Sequence, residues 1–207
     1  AELRAGPIWK RLEFFLRDEK GERIRLAEIH RSWLDFIERA HAARLHAGLI
    51  APFEHGKTSV VVGLLLDEIG RNPNLRMQVV CNADANAIAR VASIKSYIEG
   101  SEPYRLLYPG VRPGTKWQTE AITVERDSHD PNPTVKAYGV TSRGTSSRSD
   151  LTLFDDVDDA ESLSAEVRNA RRMRVENVWL QRAGRGRAIA ICTAWHEEDY
   201  AHVSVAN

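Results

Sequence analysis

The sequence predicts an α/β domain with a mainly parallel central sheet and helices on both faces. Three observations carry this. Short apolar runs of strand length alternate with stretches of helical periodicity. Those runs are apolar throughout rather than at every second residue, as in strands covered on both sides. The 207 residues, 43% of them hydrophobic, suffice for one domain with a sizeable core.

The elements follow in order. Ile8–Arg17 reads as a short helix, broken by Gly21. Ala27–Arg44 reads as a longer amphipathic helix with Ile29, Trp33, Ile37 and Ala40 on one face. Leu45–Ala51 is a buried strand stopped by Pro52, and Lys57–Ile69 is the helix after it. Met77–Cys81 is a second strand, and Asp84 suits the N-cap of a helix over Ala85–Ile98, which Gly100 ends. Ser101–Gly114, rich in Pro and Gly, reads as loop. Glu120–Arg126 and Thr134–Val140 read as two strands joined by the turn-rich 127–133 stretch, a hairpin insertion. Thr141–Ser149 is polar. Leu151–Phe154 is a strand, Ala165–Leu180 a helix and Arg187–Thr193 a last strand.

Composition excludes several classes. There are 29 basic and 29 acidic residues, so the net charge is zero. That argues against coating nucleic acid by bulk electrostatics but leaves room for a local basic face. No apolar run approaches the roughly 18–20 residues of a membrane span, and the start, an Ala, is not a secretory signal. Cys81 and Cys192 lie inside apolar runs, which argues against a disulfide framework or a cysteine zinc site and suits a reducing compartment. The chain has no G-x-S-x-G elbow and no H-E-x-x-H pair, so a serine hydrolase or zinc enzyme is poorly supported.

The strongest motif is Ala51-Pro-Phe-Glu-His-Gly-Lys-Thr58, between a strand and a helix. A loop in that context cradles phosphates with backbone N–H groups and the helix N-terminus. Pro52, Phe53, Glu54, His55, Gly56, Lys57, Thr58 and Ser59 are the candidate phosphate-binding residues. Lys57 would reach the β- and γ-phosphates, and the Thr58 hydroxyl would ligate Mg²⁺. Ala51 stands where a Gly is usual.

Leu151-Thr-Leu-Phe-Asp-Asp156 runs an apolar strand into two carboxylates. The carboxyl edge of an open α/β sheet is where ligands sit. Asp155 is the candidate Mg²⁺ ligand, and Asp156 the carboxylate that positions the attacking water. Asp158, Asp159 and Glu161 are rivals for that role, and the plain alternative is a strand running into an acidic loop.

Ile189-Ala-Ile-Cys-Thr-Ala-Trp-His196 places Thr193 at a strand tip, where its hydroxyl could sense the γ-phosphate or make only local bonds. Arg143 and Arg148 precede the acidic strand. Either is a candidate arginine finger, or a solvated loop residue. Asp150–Glu161 holds six acids and no base, whereas Arg168–Arg187 holds seven arginines and one acid. The basic helix could touch DNA phosphates or a neighbouring subunit, or form a wet face. His30, Trp33 and Phe36 could lie near an adenine base, with core packing the commoner role for Trp33 and Phe36.

Taken together, APFEHGKT, VVCNADANAIARVASIKSYIEG, GVTSRGTSSRSDLTLFDD and AICTAWHEEDY resemble the ATPase half of a tailed-bacteriophage terminase large subunit, over roughly Ala27–Tyr200. The resemblance implies a P-loop NTPase fold of the additional-strand type. It implies Mg²⁺-dependent ATP hydrolysis driving double-stranded DNA into a procapsid in the host cytoplasm. The expected partners are DNA, further copies in a ring on a portal protein, and a small terminase subunit, with no membrane. Lys57 and Thr58 match the Walker A positions, Asp155 the Walker B acid, Asp156 the catalytic carboxylate and Thr193 the coupling motif. Arg143 precedes a Gly as the family's finger does, and Arg148 lies in the same region. The family's loop arginine is absent, Phe53-Glu54-His55 standing there. Residues 1–44 are expected to form a helical segment packed on an ATPase core of residues 45–207. The family's C-terminal nuclease domain lies outside this chain, so nuclease activity is not expected. The alternatives are another P-loop DNA-dependent ATPase or translocase, and a nucleotide-binding module with little turnover in isolation.

Overall fold

The computed structural model describes residues 2–142, 148–183 and 186–202. In chain order the elements are α1 (Glu2–Ala5), α2 (Ile8–Phe15), α3 (Glu28–Ala42), β1 (Ala47–Ile50), α4 (Lys57–Arg71), β2 (Met77–Cys81), α5 (Asp84–Gly100) and α6 (Glu102–Leu107). They continue with β3 (Pro113–Trp117), β4 (Ala121–Val124), β5 (Val135–Gly139), β6 (Leu151–Asp155), a 3₁₀ turn (Ala160–Leu163), α7 (Ala165–Arg174), a π-helical turn (Val175–Trp179), α8 (Leu180–Ala183) and β7 (Arg187–Cys192).

Among the described residues, seven strands form one sheet in the order β1-β7-β6-β2-β5-β4-β3. The five strands from β1 to β5 pair in parallel, and β4 and β3 add antiparallel pairs at one edge. β7, the last of the described strands, lies between β1 and β6, which is the additional-strand arrangement. Alternating side chains face opposite cores. Val79, Leu153, Ile189 and Ile191 join one with α2, α3, α4 and α5. Val80, Phe154, Ala190 and Cys192 join the other, with Val175 and Trp179. Both cysteines are free and buried.

The helices form where the apolar spacing requires. On α2, Ile8, Leu12 and Phe15 fall on one buried stripe. In α4 nearly every residue from Val60 to Ile69 is buried, so this helix is enclosed all round. A Cβ on Gly63 would come within 2.9 Å of Leu12 Cγ, so the glycine permits the close approach of α2 and α4. The same contact carries a buried ion pair. Arg11 donates to both Asp67 carboxylate oxygens at 2.6 and 2.8 Å, and the Tyr108 hydroxyl donates to Oδ1. Arg11 is 3% exposed and Asp67 0%.

Several sequence expectations need correction. Ser101–Gly114 is not all loop: it contains α6, whose N-cap Ser101 accepts from Tyr104 N, and the start of β3. Asp84 does not cap α5. Its carboxylate accepts from Gly139 N and Ser142 Oγ, both at 2.6 Å, and ties α5 to the end of β5. Ile29 and Phe36 lie outside the core, at 50% and 38% exposed, because α3 buries the narrower stripe Trp33, Leu34, Ile37 and Ala40. The helix beginning at Ala165 widens into the π turn, whose Trp179 Nε1 donates to Val140 O at 2.9 Å. No helix among the described residues is long and apolar enough to cross a membrane.

Two outcomes follow from these contacts. Asp67→Ala leaves the buried Arg11 charge unpaired, and a urea titration should register a loss of ~3–5 kcal/mol. Combining it with Arg11→Met should cost substantially less, since no lone charge remains. His41 on α3 lies 3.1 Å from Arg187 Nη1. Burial foremost, then the Arg187 charge, lowers its pKa from 6.5 to about 4, with Glu68 opposing and His46 adding to the depression. As pH falls through this window the unfolded chain takes up the proton first, so stability present above pH 6.5 is lost toward pH 4. Thermal melts of His41→Gln should fall less over that window than those of the parent; parallel declines would contradict this origin.

Candidate nucleotide-binding site

The candidate phosphate-binding motif follows β1 and opens α4. Two of its residues are left-handed, Glu54 at φ 59° and Gly56 at φ 68°. Gly56 takes that conformation without a steric cost and turns the chain into the helix. Pro52, Phe53, Glu54, His55, Gly56 and Thr58 are exposed, and Ser59 is half-buried. A histidine outside the loop braces it. His30 Nδ1 lies 3.2 Å from Ala27 N–H, and Nε2 lies 2.9 Å from His55 O. In the neutral ring Nδ1 then accepts, so Nε2 carries the hydrogen and donates. This is a structural role for His30 beside the loop. Trp33 is buried against it with ring centroids 5.1 Å apart.

Lys57 is 6% exposed, an unusual setting for an ammonium group. Its Nζ donates to Ala51 O at 3.1 Å, Pro52 O at 3.0 Å and Thr193 Oγ1 at 2.5 Å. Asp156 Oδ2 lies 3.8 Å away. Thr193 is buried, and its backbone N–H donates to Asp156 Oδ1 at 2.6 Å. Thr193 thus joins Lys57 to Asp156, using its hydroxyl for one and its amide for the other. Asp156 has φ 45°, a region that Asp tolerates better than most residues.

Asp155 ends β6 and is 1% exposed. Arg90 Nε donates to its Oδ2 at 2.6 Å. Oδ1 is buried with no hydrogen-bond partner among the described residues. Burial pushes this carboxyl upward, and the Arg90 charge opposes it. An unspent buried carboxylate oxygen beside the Arg90 contact suits a divalent cation that takes one or two carboxylates and completes its shell with phosphates and water. No group of three or more His, Cys, Asp or Glu able to hold a metal occurs among the described residues.

The rivals of Asp156 are engaged elsewhere. Asp158 accepts from Ser162 Oγ and Tyr200 N. Asp159 accepts from Asn82 and Arg171, and Glu161 also meets Arg171. The basic helix is not simply a wet face: Arg168 and Arg171 are buried, and Arg168 pairs with Glu198. Trp195 packs edge-on against Phe53, centroids 5.0 Å apart, and Phe53 is 53% exposed. His196 accepts from Glu198 N.

Arg148 is exposed and lies three residues before β6, at the sheet edge opposite the phosphate loop, so one chain does not bring it to Lys57. Arg143 lies outside the described residues. Sequence reasoning missed Arg90. It carries no motif; its only signal is its place in the second turn of the helix after β2, the strand beside β6.

The fold is an α/β domain of P-loop NTPase-like topology, in which the strand leading to Thr193 is inserted beside the strand that precedes the loop. Among solved structures, the crystal structure of the HK97 bacteriophage large terminase is similar in fold, with a TM-score of 0.63 and 14% identity over 97% of this chain. This chain spans 40% of that terminase. No family model and no curated protein matches the sequence.

Gly56→Ala should cost ~1–2 kcal/mol, because a Cβ is placed in a left-handed backbone. It would also stand 3.4 Å from His30 Nε2. Urea unfolding measures the loss, and an unchanged midpoint would contradict the strain.

Proposed function

We propose that this chain is the ATPase domain of a DNA-packaging motor of the terminase large-subunit type. The observation that carries the reading is the convergence of Lys57, Asp155, Asp156 and Thr193 from three adjacent parallel strand ends. ATP is the nucleotide. Lys57 exchanges one of its present acceptors for a phosphate oxygen when ATP enters. Loop N–H groups and the N-terminus of α4 hold the remaining charge. Thr58 and Asp155 hold Mg²⁺, which neutralises charge on the phosphate oxygens when bound.

Asp156 accepts a hydrogen bond from the attacking water and aligns it on the γ-phosphate. Its Oδ1 is fixed by Thr193 N, so Oδ2 is the oxygen that turns to the water. Loss of the phosphate returns Lys57 to the Thr193 hydroxyl, and the end of β7 thereby reports the state of the nucleotide. The stabilising arginine is Arg143 or Arg148, and Arg148 would act from a neighbouring subunit. Double-stranded DNA is gripped through its phosphates, since a motor must advance over any sequence. Copies of the chain assemble as a ring on a portal protein, with a small terminase subunit, in the host cytoplasm.

ATP hydrolysis with Mg²⁺, measured across a range of protein concentrations, tests the reading. Turnover per molecule should rise with concentration and fall at least ~100-fold in Lys57→Ala and in Asp156→Asn. Normal ATP binding without turnover at any concentration would favour a nucleotide-binding module instead.

A further inference from the structure

Arg90 meets Asp155 in a geometry that a simple helix-to-strand ion pair does not require. The Asp155 carboxylate is fully enclosed, and its two oxygens are treated differently. Oδ2 receives the Arg90 Nε–H at 2.6 Å, while Oδ1 receives nothing from the described residues. A buried carboxylate oxygen left without a donor is costly, on the order of 1–3 kcal/mol. The Arg11–Asp67 pair, by contrast, satisfies both carboxylate oxygens with one fork.

The setting of Arg90 supports a role at the site. Its side chain is 21% exposed, so it reaches inward from the rim rather than from the core. It acts electrostatically on Asp156 as well as Asp155. α5 is fixed independently of this contact, through the bonds of Asp84 to Gly139 and Ser142. Arg90 is therefore not needed as the anchor of its own helix.

We propose that Arg90 is a positioning residue for the nucleotide-bound cation. It grips Oδ2 of Asp155, fixes the rotation of the carboxylate, and so reserves Oδ1 for the metal or a water in the metal's shell. This rests on the nucleotide-site reading and adds a residue to it. Lys at position 90 would keep the charge but not the directional N–H, so it should serve only in part.

The test compares the affinity of the full chain for a fluorescent ATP analogue with Mg²⁺ and with EDTA. The parent should bind more tightly with Mg²⁺. Arg90→Gln should lower that magnesium advantage about tenfold and change the metal-free affinity by less than about threefold, as expected for loss of a charge-assisted hydrogen bond. Arg90→Lys should fall between them. In an Asp155→Asn background the advantage is already gone, and adding Arg90→Gln should change nothing more. Thermal melts check that each variant folds; if Arg90→Gln does not, Arg90→Lys and the double variant carry the comparison. An unchanged or larger magnesium advantage in Arg90→Gln would overturn the proposal, the larger value marking Arg90 as a competitor of the cation. Equal losses with and without Mg²⁺ would reduce Arg90 to a structural role. A parent without any magnesium advantage would overturn the nucleotide reading itself.

Discussion

The site depends on the pairing of β7 with β1 on one side and β6 on the other. The register sets Ile50 opposite Cys192 and Asp155 opposite Ile191. Three chain segments far apart in sequence then leave the sheet at one edge. Thr193, the residue after β7, is placed between the loop lysine and the acid after β6. A one-residue slip in β7 would turn its side chains to the wrong core and carry Thr193 away from both. The two hydrophobic cores enforce the register, because Ile189 and Ile191 belong to one and Ala190 and Cys192 to the other.

Two kinds of buried charge coexist in this domain. Arg11 and Asp67 are fully matched by a bidentate pair and a tyrosine hydroxyl, and they lock α2 to α4. The charges near the phosphate loop are matched incompletely. Lys57 is satisfied by neutral oxygens, with Asp156 only at 3.8 Å, and Asp155 keeps an oxygen without a donor. The first set holds the scaffold still. The second leaves Lys57 on neutral acceptors, which would yield to a phosphate under the proposed function more readily than a tight ion pair would.

The sequence made the strands and the strand–loop–helix context at residues 51–58 legible because their signals are local. Met77–Cys81 is apolar throughout, and Gly56-Lys57-Thr58 follows a strand and opens a helix. The alternation of strands and helices sufficed for a parallel sheet. What escaped depends on contacts distant along the chain. Asp84 looks like a helix cap until β5 arrives with two better donors. Phe36 and Ile29 fit an apolar face whose outer part nothing among the described residues covers. Arg168 and Arg171 read either as a surface for phosphates or a neighbour or as a wet face, yet the acids before α7 fold back onto Arg171, and Glu198 reaches Arg168. Arg90 belongs to the same group: only the adjacency of β2 and β6 brings it to Asp155.

The left-handed backbone at Asp156 links the main chain to the choice of acid. The turn after β6 is held by Asp156 N on Ile191 O and by Asn82 N on Asp156 O. That turn favours residues that accept a positive φ, aspartate more readily than glutamate, although Glu54 also adopts such a backbone. A longer carboxylate would reach further from the strand end but at a larger backbone cost at this φ. Length of reach and ease of turning are therefore traded at a single residue.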